Sequence, residues 1–172
     1  MKFSHPLMQS NFTKSDMIAA TKILNKKNII LTQSKQVKEF EQKWSKWLGV
    51  KYTVFVNSGS SANFLTMAAL KLLYGKGEII VPSLTWVSDI VSVIQNNFKP
   101  VFVDINPKNL CMSESQIIKK VNNKTLAVFM THVQGFNGLS DKLISFLKKR
   151  KILLIEDVCE SHGATFNNKK LG

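Results

Sequence analysis

With 172 residues, 44% of them hydrophobic and 20% charged, the chain has the composition of a globular domain and the length to bury one sizeable core. Its formal charge of +13 raises the question of nucleic acid, but 23 of the 24 basic residues are scattered lysines and Arg150 is the only arginine, so the side chain best suited to bidentate base reading is nearly missing. No apolar run approaches membrane-spanning length, the opening Met1, Lys2, Phe3, Ser4, His5, Pro6 has no apolar stretch behind its charge, and Cys111 and Cys159 lie far apart. The expectation is a cytoplasmic protein with reduced thiols, no membrane segment and no nucleic-acid partner.

Thr13 and Asp16 form a capping pair for a helix carrying Met17, Ile18, Ile23 and Leu24, and a second helix after Ser34 carries Val37, Phe40, Trp44, Trp47 and Leu48. The tryptophans read as core or subunit-interface anchors. From Tyr52 the pattern changes to short apolar runs alternating with amphipathic segments: YTVFVN, EIIV, PVFVDI, TLAVFM and ILLIED. Such runs suit strands buried on both faces, with crossover helices between them. The fold class is therefore α/β, a three-layer α/β/α sandwich with a mainly parallel sheet. Residues 1–50 form an N-terminal helical segment and residues 51–172 the start of the sheet domain. The Lys148 to Lys151 run closes an apolar-periodic segment, where cations complement a helix end; a polyanion contact is the alternative.

In open α/β sheets ligands bind beyond the carboxyl ends of the strands. The first such place is Asn57 to Asn63 (NSGSSAN), which leads into an apolar-periodic helix from Phe64 to Leu73; exposed amides and hydroxyls there suit an anion, and simple serine capping is the bland alternative. No G-x-G-x-x-G or Walker-type loop is present, since Gly75, Lys76, Gly77 precedes a strand. The second place, Pro82 to Trp86, brings an indole that either stacks on a planar cofactor or caps the core. At the third, Thr131 to Gly135, His132 reads as a hydrogen-bonded structural group or as an acid or base. The fourth is Glu156, Asp157, Cys159, Glu160, Ser161, His162 at the end of ILLIED. A carboxylate there can hold a protonated ring nitrogen, whereas the mixture matches no familiar metal-ligand spacing.

The segments NSGSSANFLTMAAL, IIVPSLTWVSDI, PVFVDIN, THVQGFNG and LLIEDVCESHGATFNNKKLG together resemble the DegT/StrS sugar aminotransferases, within the aspartate-aminotransferase-like enzymes of pyridoxal 5'-phosphate (PLP) and pyridoxamine 5'-phosphate. The resemblance runs from about Pro6 onward. It implies that Gly59, Ser60 and Ser61 hold the cofactor phosphate, that Trp86 stacks on the ring, that Asp157 binds the pyridine nitrogen, and that Glu160 sits near the ring's 3-hydroxyl. Glutamate at 160 departs from the family's commoner glutamine, and EDVCESHGATF resembles the GDP-4-keto-6-deoxymannose 3-dehydratase branch, which replaces the Schiff-base lysine by histidine. By the resemblance, the lysine or its replacement lies after Gly172, and the chain supplies no catalytic residue. Lys169 and Lys170 read as an exposed turn.

The function so implied is that of a sugar aminotransferase in surface-polysaccharide or deoxysugar biosynthesis, a homodimer using a nucleotide-linked keto-sugar and an amino donor such as glutamate, inactive as the 172 residues alone. A sugar 3-dehydratase of the same family is the near alternative. From a different class, a non-catalytic α/β module could use NSGSSAN to bind a phosphate ligand.

Overall fold

The computed structural model describes residues 10–172, so the readings placed on Met1 to Pro6 lie outside the described residues. The described chain divides into two compact units, the first ending at Phe40 and the second beginning at Glu41. In the first, helix α1 (Lys14–Leu24) starts at the expected capping box. Thr13 Oγ1 accepts from the Asp16 N–H, and the Asp16 carboxylate accepts from the Thr13 N–H at 2.8 Å. Helix α2 (Lys35–Leu48) follows Ser34 as expected and runs on into the second unit.

The second unit is built on four parallel strands. They are β1 (Glu78–Pro82), β2 (Lys99–Val103), β3 (Thr125–Thr131) and β4 (Leu153–Asp157), in the spatial order β2-β1-β3-β4. The crossovers are helices α3 (Gly59–Tyr74), leading into β1, then α4 (Val87–Gln95), α5 (Glu114–Lys120) and α6 (Asp141–Arg150). Strand residues alternate between two apolar layers because successive side chains leave opposite faces of a sheet. Ile79, Val81, Ala127 and Phe129 pack with Met67, Leu70 and Val93 of α3 and α4. Ile80, Val128 and Met130 pack with Ile117, Leu143 and Leu147 of α5 and α6. This is the expected three-layer sandwich.

Two expectations need correction. Tyr52–Asn57 is not a strand: no ladder includes it, and Tyr52 and Val54 are 75% and 78% exposed. An apolar run measures a tendency to be buried, whereas a strand also needs a neighbour to take its backbone hydrogen bonds. Here α2 tethers the segment instead, through Ser45 Oγ to Thr53 Oγ1 at 2.7 Å and the Phe55 N–H to Glu41 at 2.8 Å. Lys169 and Lys170 are not a turn but strand β6 (Lys169–Lys170), antiparallel to β5 (Thr165–Phe166). The turn is Asn167–Asn168, both at positive φ, 49° and 60°. Asparagine tolerates that region better than lysine does, which places the bend two residues earlier.

Trp44 and Trp47 belong to neither apolar layer. Their rings lie 4.9 Å apart, Trp44 meets the His162 ring edge-on at 5.2 Å, and Lys170 Nζ sits 4.9 Å from the Trp47 centroid. Lys148, Lys149 and Arg150 fill the exposed last turn of α6, and Lys151 closes it at φ 55°. Among the described residues no helix is long and apolar enough to cross a membrane.

Phe129, 1% exposed and central in the α3–α4 layer, reports directly on this core. Phe129→Ala is expected to cost about 3–5 kcal/mol, read as a lower denaturant midpoint with an unchanged slope.

Candidate active site

A parallel sheet brings every strand's carboxyl end to one rim; the second, third and fourth places follow β1, β3 and β4 there, and Asn63 of the first reaches it through its hydrogen bond to Asp157. At the first, Gly59, Ser60 and Ser61 form the opening turn of α3. Ser58 is the N-cap, its hydroxyl accepting from the Ser61 N–H at 3.1 Å, while its carbonyl accepts from the Ala62 N–H. The capping reading of this loop is met by Ser58. Among the described residues the N–H groups of Gly59 and Ser60 have no protein acceptor, and they stand at the positive end of a 16-residue helix. Asn57, Ser60 and Ser61 line a cavity of about 460 Å³ with Phe64 and Gln95.

Trp86 is the N-cap residue of α4 and is 71% exposed, which removes the core-tryptophan alternative. Its indole is available beside the rim. Asp157, the last residue of β4, is half-buried and its carboxylate accepts two hydrogen bonds. Its Oδ1 accepts the Cys159 N–H at 3.0 Å, and its Oδ2 accepts from Asn63 Nδ2 at 3.2 Å. Burial works against its charge, but these donors hold the carboxyl below the ordinary carboxylate range, so Asp157 is an anion at neutral pH.

Asn63 ties the first place to the fourth and also reaches α4, donating to Asp89 Oδ1 at 2.8 Å. Asp89 is fully buried, and its Oδ2 bonds the hydroxyls of Thr85 and of Thr131, the latter at 2.6 Å. Burial, reinforced by the neighbouring Asp157 charge, pushes the Asp89 carboxyl upward against the pull of the two threonines. Sequence reading missed Asp89, because an acid in the first turn of a helix looks like ordinary dipole compensation.

His132 is fully buried. Its Nε2 lies 2.8 Å from Glu156 Oε2, and its Nδ1 accepts the Gly138 N–H at 3.1 Å. A ring that accepts at Nδ1 carries its proton on Nε2 and donates it to Glu156, which makes His132 a structural bracket. Gly138 has to be glycine: a Cβ there would stand 2.7 Å from Met130 Sδ and 2.9 Å from Cys111 Cβ. Glu160 is exposed, and its carboxylate accepts the N–H of Gln134, a residue at φ 52°, at 2.9 Å. Ser161 Oγ accepts the Gly135 N–H and donates to the His132 carbonyl. The loops after β3 and β4 are thereby clasped together. Among the described residues no group of three or more His, Cys, Asp or Glu is placed to hold a metal ion.

A parallel α/β sandwich with helix-terminal donors, an exposed indole and a strand-terminal carboxylate on one rim has the fold of the aspartate-aminotransferase-like proteins. The chain belongs to the DegT/DnrJ/EryC1/StrS aminotransferase family, whose model matches residues 11–172. It is 35% identical over 174 residues to a GDP-4-keto-6-deoxy-D-mannose 3-dehydratase of Escherichia coli O55:H7, covering 98% of this chain and 44% of that protein. To a GDP-perosamine synthase of Vibrio cholerae it is 32% identical over 143 residues, 83% of this chain and 39% of that one. A solved E. coli GDP-4-keto-6-deoxy-D-mannose-3-dehydratase with bound hydrated PLP superposes with a TM-score of 0.89 at 35% identity, over 97% of this chain and 44% of its own. The chain thus spans less than half the length of these relatives.

Cys159, beside Asp157, offers a test of the rim's charge. Partial burial, then the hydrogen bond to Asp157 and its negative charge, push the thiol up to about 12. Thiolate is the reactive form, so alkylation by iodoacetamide at pH 8 is expected to run well over tenfold slower than for a free cysteine and to climb without a plateau to pH 10. Asp157→Asn removes the charge that opposes ionisation and should speed the reaction, which peptide mapping of Cys159 would show.

Proposed function

We propose that this chain is the cofactor-binding part of a PLP- and pyridoxamine-phosphate-dependent enzyme that acts on a nucleotide-linked keto-deoxysugar in surface-polysaccharide or deoxysugar biosynthesis. The observation that carries the reading is the ionised, doubly hydrogen-bonded Asp157 on the same rim as the free α3 amides. Residues 1–50 serve as an N-terminal helical segment and residues 51–172 as the first part of the large domain. The protein works in the cytoplasm as a homodimer, with glutamate as the amino donor.

The donor set fits this cofactor group by group. The amides of Gly59 and Ser60, with the Ser60 and Ser61 hydroxyls, hold a phosphate through hydrogen bonds and the helix dipole. Trp86 would cover one face of the ring, and Asp157 would accept a hydrogen bond from the ring nitrogen and favour its protonated form. Bound there, the cofactor supplies an electron sink for proton removal next to its amine-bearing carbon. Asp157 serves as a fixed counter-charge and moves no proton. Glu160, clasped to the Gln134 N–H, would lie near the ring's 3-hydroxyl. The chain contributes no proton-transferring residue, so the 172 residues alone are expected to show no turnover.

Aminotransferase chemistry is the leading reading. The 3-dehydratase reading rests on one feature, the EDVCESHGATF segment with glutamate at 160. Incubating the full-length protein with PLP, reducing with borohydride and mapping adducts by mass spectrometry separates them. A modified lysine outside these residues supports the aminotransferase; bound cofactor without an adduct supports the dehydratase; no binding refutes both and leaves a plain phosphate binder. Trp86→Ala is expected to weaken PLP binding about three- to tenfold, measured by fluorescence titration, since an aromatic stacking contact is worth about 0.5–1.5 kcal/mol.

A further inference from the structure

Asp89 is a carboxyl group with no exposure and, among the described residues, no ion pair to Lys, Arg or His. An isolated carboxylate in that setting is costly, so the group either stays neutral or finds compensation. The hydrogen bonds decide between these. Asp89 Oδ2, Thr85 Oγ1 and Thr131 Oγ1 are mutually in contact, with Thr131 2.6 Å from Asp89 and 2.7 Å from Thr85. Three oxygen–oxygen contacts in a closed triangle need three protons. Two threonine hydroxyls bring two, and a proton on Asp89 completes the ring, each oxygen donating once and accepting once.

The other carboxyl oxygen turns to Asn63. Asn63 Nδ2 donates to Asp89 Oδ1 at 2.8 Å and to Asp157 Oδ2 at 3.2 Å, with Ser88 Oγ a third neighbour at 3.3 Å. One amide thus bridges two carboxyl groups. The Asp89 end is the shorter bond and is anchored by threonines from two further elements, the loop after β1 and the end of β3. We propose that Asp89 is a positioning residue, a neutral acid that fixes the Asn63 amide and through it aims the Asp157 carboxylate at the cofactor ring. The inference rests on the reading of Asp157 as the ring-nitrogen partner. The titratable groups facing Asp89 are Asp157 from β4 and, beyond it, Cys159; α3 presents Asn63, and β3 presents Thr131. Division of labour follows, because two adjacent anions would repel, and keeping Asp89 protonated leaves the whole negative charge on Asp157.

The test uses the full-length protein loaded with PLP labelled with ¹⁵N at the ring nitrogen, whose chemical shift reports ring protonation, together with the PLP dissociation constant. Asp89→Asn keeps shape and neutrality, donates to the threonines and accepts from Asn63, so it should match the wild type in shift and stay within about twofold in affinity. Asp89→Ala, and separately Asn63→Ser, should let the ring lose its proton at a pH lower by on the order of one unit and weaken PLP binding about tenfold. A role confined to stability would lower the thermal midpoint and leave the ring-nitrogen signal in place, which would overturn the proposal. So would an Asp89→Asn variant as impaired as Asp89→Ala. Should Asp89→Ala not fold, Asn63→Ser decides on the same two readouts. Asp157→Asn is the control: wild-type ring protonation in that variant would sink the reading of Asp157 and this inference with it, whereas an impaired Asp157→Asn beside a normal Asn63→Ser would sink the inference alone.

Discussion

The rim depends on one constraint, the parallel pairing of strands that are covered on both faces. Because β1, β3 and β4 run the same way, Pro82, Thr131 and Asp157 end at the same edge, and the chain leaving each strand has to turn there before it can enter a helix. In those turns backbone amides and polar side chains escape the two apolar layers. The chemistry is therefore concentrated at one edge by topology. At the opposite edge, the buried Glu78 accepts from Lys99 Nζ at 3.0 Å and from Asn122 Nδ2 at 2.8 Å, a smaller cluster than the one around Asp157.

Within that rim the polar groups are arranged so that each buried one is answered. Among the described residues no buried side-chain nitrogen or oxygen lacks a hydrogen-bond partner. Such completeness matters most where charges would otherwise meet, since a half-satisfied network in a low-dielectric setting costs more than an apolar one. Asn63, Thr85, Asp89 and Thr131 come from four separate segments, and the network they form holds α3, α4, β3 and β4 in a fixed relation around Asp157. The His132, Glu156, Gly138 bracket and the Ser161 clasp do the same for the two loops on the other side of β4. Both sides of the strand-terminal carboxylate are thus braced by hydrogen bonds that cross between elements.

How much of this was legible in the sequence varies with the kind of signal. Apolar runs located β1 to β4, and Thr13 with Asp16 located the start of α1, because burial and capping leave local traces. Tyr52–Asn57 misled for the same reason: its apolar run is real, but pairing is a property of two segments and cannot be seen in one. The Asn167–Asn168 turn was readable from asparagine's tolerance of positive φ and was overlooked in favour of the lysines beside it. Trp86 was undecidable, since an indole after a strand serves a core or a surface equally well, and only its exposure separates these. Asp89 left no trace at all. Its significance comes from contacts at sequence separations of 26 and 42, to Asn63 and Thr131, and from having no ion pair among the described residues, none of which a local motif records.

On the functional reading proposed above, the same geometry would serve both amine transfer and hydroxyl elimination on sugars. In that reading, everything this rim contributes concerns the cofactor: donors for a phosphate, a face for a ring, a counter-charge for a ring nitrogen. An electron sink held in this way serves any reaction that begins by removing a proton beside the cofactor's amine, whatever leaves or arrives afterwards. Asp157 is already ionised and committed to two donors, His132 is buried against Glu156, and the Cys159 thiol is held far from ionisation, so none of the three is free to act on the sugar. Choice between the two outcomes therefore falls to whichever group moves the proton. On that reading the rim is indifferent to the choice.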